Sequence, residues 1–130
     1  MIKNRFTQKL FFLINNYFIN ALIPPIKLWT VFLYMDTASY RAYKRGQRDW
    51  FEQEEQLNGF MINLIEKFET TLFIDVGACF GMHSFQVKKQ CPKVNVASFE
   101  PNKFLTSLMK KSKRKNKLDI EILNYGLGEN

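Results

Sequence analysis

A short apolar run closed by a carboxylate and a glycine turn constrains this chain more than any other feature. Leu72-Phe73-Ile74-Asp75-Val76 is followed directly by Gly77-Ala78-Cys79-Phe80-Gly81. Four large apolar residues around a single Asp form the pattern of a strand buried on both faces, as in a parallel sheet. The pattern then repeats. Met82 to Gln90 reads as a short helix with Phe85 inward, stopped by Pro92, and Val94 to Phe99 reads as a second strand. Asn102 to Asn116 reads as a helix carrying Phe104, Leu105, Leu108 and Met109 on one side, and Ile120 to Leu123 as a third strand. The expected fold class is therefore α/β: the first half of a Rossmann-like doubly wound parallel sheet, in the order β-α-β-α-β.

At 130 residues the chain holds one domain, or one domain with an arm, and 46% hydrophobic residues against 24% charged exclude a disordered or low-complexity polymer. Two regions follow. Residues 1–70 are expected to be a helical N-terminal region with an apolar segment, and residues 71–130 a partial ligand-binding α/β domain. Near the start, Lys3, Arg5 and Lys9 precede Leu10-Phe11-Phe12-Leu13-Ile14, but Asn15, Asn16, Asn20, Pro24 and Pro25 interrupt the apolar stretch before it reaches spanning length. An apolar helix that docks on the protein or lies in a membrane interface is the expected form, giving peripheral membrane contact through residues 10–35. Residues 36–55 pass from a basic to an acidic cluster and read as a solvated connection into a helix. From Trp50, the residues Phe51, Leu57, Phe60, Met61, Leu64, Ile65 and Phe68 share one helical face, expected to be core.

In open parallel sheets, ligands bind beyond the carboxyl ends of the strands. Asp75, Gly77 and Gly81 occupy that position at the first strand, where glycine permits close approach of a ligand to the backbone and the next helix presents free N–H groups. Glu100 ends the second strand. A carboxylate there is suited to accept both hydroxyl protons of a ribose, so the ligand class is a nucleoside. The glycine spacing lacks the G-x-G-x-x-G triplet of a pyrophosphate-binding turn. Cys79 lies close to the ligand position without a basic neighbour to activate it, and helical geometry keeps it from pairing with Cys91. His83 reads as a first-turn helix residue rather than a base. One His and two separated Cys do not make a zinc site, so no metal is expected.

The motif D-V-G-A-C-F-G resembles motif I of the class I S-adenosylmethionine-dependent methyltransferases. Taken with Phe73-Ile74-Asp75-Val76-Gly77-Ala78, Gly81, Ser84, Phe99-Glu100-Pro101, Leu105, Leu108 and Gly126-Leu127-Gly128-Glu129, residues 71–130 resemble the FkbM family of methyltransferases. The resemblance implies that Asp75, Gly77, Ala78, Cys79, Gly81 and Glu100 bind S-adenosylmethionine. It implies methyl transfer to the hydroxyl of a sugar, glycan or natural product, with no catalytic base identifiable in this chain. Cys79 departs from the Asn common in that family. Strands that the family uses for the acceptor site are not among these residues, so the chain is expected to be a truncated or partial enzyme, inactive alone, whose sheet a partner chain or a C-terminal half completes. The alternatives are a non-catalytic nucleotide-binding remnant and a small membrane-associated protein.

The net charge of +7 is concentrated late in the chain, where Lys110-Lys111-Ser112-Lys113-Arg114-Lys115-Asn116-Lys117 holds most of the excess. Cations at a helix C-terminus oppose the helix dipole, and no aromatics interleave with them for base stacking, so nucleic acid is not the expected partner. Cysteine usage fits a reducing, cytoplasmic setting, with attachment to a membrane periphery left open by the N-terminal segment.

Overall fold

A computed structural model of the protein describes residues 22–46 and 48–128. The elements run β1 (Ile26–Leu28), β2 (Val31–Leu33), α1 (Thr37–Lys44), α2 (Arg48–Lys67), β3 (Leu72–Val76), α3 (Met82–Gln90), β4 (Asn95–Phe99), α4 (Lys103–Asn116) and β5 (Glu121–Leu123). Strands β3, β4 and β5 form a parallel sheet in that order, with Asp75 opposite Ser98 and Val76 opposite Phe99. The α/β class and the β-α-β-α-β succession are as the sequence indicates. Asn102 begins α4 by accepting from the N–H groups of Phe104 and Leu105, and Lys117 ends it with φ +53°.

The N-terminal region departs from the all-helical expectation. Residues 1–21, which carry most of the expected apolar helix, lie outside the described residues, while β1 and β2 form an antiparallel hairpin in which Ile26 faces Leu33 and Lys27 faces Phe32. Alternation explains it: Ile26, Leu28, Val31 and Leu33 are buried while Lys27 and Phe32 point outward. The hairpin is fastened to the α/β unit by polar contacts. Gln86 on α3 donates to the Leu28 carbonyl at 2.9 Å and accepts from Thr30 at 2.8 Å, and Ser112 on α4 accepts from the Tyr34 N–H at 2.9 Å. Its apolar residues share one core with Phe85, Val87, Val96 and Met109. Part of the expected solvated connection is also helical, because Asp36 caps α1 by accepting from the Ser39 N–H.

Burial of β3 differs from the sequence reading. Leu72, Ile74 and Val76 are 50%, 52% and 59% exposed, so the strand is covered on one face only. The cover comes from α3, α4 and the hairpin on the side of Phe73, Asp75, Val96 and Ser98, and the described residues supply no second layer. Helix α2 shows the same one-sidedness. Asn58, Ile62 and Ile65 face inward, whereas Leu57, Phe60, Leu64 and Phe68, expected in the core, are exposed. Among the described residues no helix is long and apolar enough to cross a membrane.

Candidate functional site

The turn after β3 is shaped by backbone requirements that the sequence meets at two positions and strains at one. Gly77 and Gly81 have φ of +78° and +82°, in the left-handed region that glycine enters at little cost. Cys79 lies there too, at +55°, where a side chain is disfavoured. The Phe99 carbonyl at the end of β4 accepts from both Gly77 N–H (2.9 Å) and Ala78 N–H (3.0 Å), which folds the turn back over the neighbouring strand.

The two glycines have different surroundings. A Cβ at Gly77 would meet no atom within 4 Å, so the turn is open there. At Gly81 a Cβ would stand 2.7 Å from Phe85 Cε2 and 2.9 Å from Met109 Cε. Gly81 is thus also demanded by close packing against α3 and α4, a requirement separate from the ligand approach read from sequence. Ala78 is also buried, beneath the turn, while Cys79 is exposed.

Both carboxylates of the site have partners within the chain. Asp75 accepts a hydrogen bond from the Ser84 hydroxyl at 2.5 Å, and Ser84 in turn accepts from Ser98 at 2.7 Å. Among the described residues Asp75 makes no second side-chain hydrogen bond, which leaves acceptor capacity on it. Glu100 is 7% exposed and its two oxygens are divided: one accepts from the Cys79 N–H at 2.9 Å, the other from the Asn102 N–H at 2.8 Å. The side chain therefore ties the turn after β3 to the start of α4. Each carboxylate oxygen can accept more than one hydrogen bond, so this duty leaves room for a hydroxyl donor. Asn124, beyond β5, donates to the Glu100 and Pro101 carbonyls at 2.9 and 3.0 Å and fixes the backbone behind it.

Although Cys79 is exposed as a residue, partial burial of its thiol is the main influence raising it above its ordinary pKa, and the negative charges of Glu100, Asp36 and Asp75 act in the same direction against a lowering hydrogen bond from the Phe80 backbone. A thiol in this setting is a poor nucleophile at neutral pH.

All six residues singled out from sequence, Asp75, Gly77, Ala78, Cys79, Gly81 and Glu100, gather at the carboxyl ends of β3 and β4. Ser98 and Asn124 were not legible, because one lies inside an apolar strand and the other follows a strand with no motif around it. His83 is held by residues the sequence did not link to it. Its Nε2 is 2.8 Å from Glu54 and its Nδ1 is 3.0 Å from the Asn58 side-chain oxygen, which joins α3 to α2. A cleft of about 380 Å³ lined by Leu72, Asn95, Lys113 and Glu121 lies at the amino ends of the strands, away from this turn. No protein-family model matches the chain, and no curated protein matches it.

Proposed function

We propose that this chain binds S-adenosylmethionine at the carboxyl ends of β3 and β4 and belongs to the machinery of a methyltransferase of the FkbM type that modifies a hydroxyl acceptor. The observation that carries the reading is the pair of carboxylates, Asp75 and Glu100, ending two adjacent parallel strands and linked through the glycine turn by the Cys79 N–H. The donor and acceptor set suits the cofactor. In this reading Glu100 would accept from ribose hydroxyls, the free acceptor capacity of Asp75 would meet a cationic amino group, and the open side of Gly77 would let a ligand reach the backbone. When bound, the cofactor supplies a methyl group activated by its sulfonium. The residues of this chain contribute binding and orientation, and none of them is assigned as the base for the acceptor hydroxyl.

The test is titration of the full chain with S-adenosylhomocysteine, read by saturation-transfer NMR so that millimolar affinity is detected. Binding by the parent is expected, weakened in Glu100→Ala by roughly 1.5–3 kcal/mol, the range for hydrogen bonds to a charged group. Absence of saturation transfer at millimolar ligand, or equal affinity in parent and variant, would overturn the proposal.

A further inference from the structure

The basic run of α4 reads differently once the hairpin is in place. In sequence it has no aromatic neighbours, but the fold lays β2 and the residue after it along the helix. Asn116 bonds both backbone groups of Phe32, accepting from its N–H at 2.7 Å and donating to its carbonyl. Lys115 Nζ then sits 5.3 Å from the centre of the Phe32 ring, and Lys111 Nζ sits 5.9 Å from the centre of the Tyr34 ring. Lys27 lies opposite Phe32 on the same outer face of the hairpin. Phe32 remains 37% exposed despite its size. Among the described residues, Lys27, Lys111, Arg114, Lys115 and Lys117 form no ion pair; the single acid engaged by the run is Asp119, with Lys113 at 3.4 Å.

We infer that this face of the hairpin and α4 is a docking surface for an anionic lipid membrane. Cations without a carboxylate partner around half-exposed aromatic rings are the composition of a membrane-interface surface, in which long basic side chains reach the headgroups and rings sit at the polar–apolar boundary. The same charges would attract a nucleic acid, but base stacking competes for ring face, and a lysine ammonium lies over one face of each ring. The membrane is therefore the better fit, and the inference is independent of the cofactor reading.

Cosedimentation of the full chain with vesicles tests it, using phosphatidylcholine alone and phosphatidylcholine with about one-third phosphatidylglycerol, alongside a single-stranded oligonucleotide. The parent is expected to partition at least about tenfold more strongly onto the anionic vesicles, with the preference fading in high salt. Lys111→Glu with Lys115→Glu should remove that preference. The milder pair Lys111→Ala and Lys115→Ala should reduce it while keeping the parent's circular dichroism, which separates loss of docking from loss of fold. Equal partitioning of the parent onto both vesicles, parent-like partitioning of either lysine pair, or tighter binding to the oligonucleotide than to anionic vesicles would overturn the inference.

Discussion

Replacing Gly81 by Ala and, separately, Gly77 by Ala divides the cost of a turn glycine into conformation and space. Both positions have φ near +80°, at +82° and +78°, so each substitution pays the left-handed penalty of roughly 1–2 kcal/mol. Only Gly81 adds a collision. Its new Cβ would lie 2.7 Å from the Phe85 ring and 2.9 Å from Met109, and both side chains are completely buried. The methionine end can swing, but the ring is held within the core, and overpacking of that kind costs about 1–3 kcal/mol. The expected losses are thus about 2–5 kcal/mol for Gly81→Ala and about 1–2 kcal/mol for Gly77→Ala. Urea unfolding followed by circular dichroism would measure both against the parent. Equal losses in the two variants would refute the packing argument.

Cys79→Asn should stabilise the protein by roughly 0.5–1 kcal/mol, because asparagine tolerates the left-handed conformation better; a lower melting temperature would contradict this. Ser84→Ala removes the link between Asp75 and Ser98 and should cost about 1–3 kcal/mol, measured in the same urea experiment, with a neutral result showing that the serine pair holds nothing in place. Because the folded Cys79 thiol is raised, iodoacetamide should modify it more slowly than a cysteine in a short peptide at mildly alkaline pH, and faster modification would reverse the sign. The linked stability is fully present below the unfolded thiol pKa and is lost as pH rises through the raised folded value.

The strand, turn and helix succession from Leu72 to Leu123 was legible because each element carries its own local signal: a short apolar run, a glycine turn, a cap or a proline stop. The hairpin was not. Its strands are three residues each, and the turn at Trp29 and Thr30 has φ +49° at Trp29, without the Asn-Gly or Asp-Gly pair that usually announces such a turn. The alternation of Ile26, Lys27 and Leu28 was present but too short to outweigh the surrounding apolar residues. In α2, periodicity pointed to the face of Leu57, Phe60, Leu64 and Phe68 as core, whereas the row that meets the protein is Asn58, Ile62 and Ile65. The positions of Asp75 and Glu100 followed from the strand ends. Their partners did not, since Ser84 and Ser98 meet only when α3 folds back across β4.

The uncovered faces of β3 and α2 also set the shape of the protein's unfolding thermodynamics. Denaturant slope and heat-capacity change both scale with the surface newly exposed when a chain unfolds. Here Leu57, Phe60, Phe68, Leu72, Ile74 and Val76 are already in solvent in the folded state and contribute less to either quantity than buried residues would. The heat-capacity change should therefore fall below the ordinary value of about 12–15 cal/mol/K per residue, and the curve of stability against temperature should be correspondingly flat. A molecule that covered those faces would steepen both measures, so calorimetry reports whether that surface is covered.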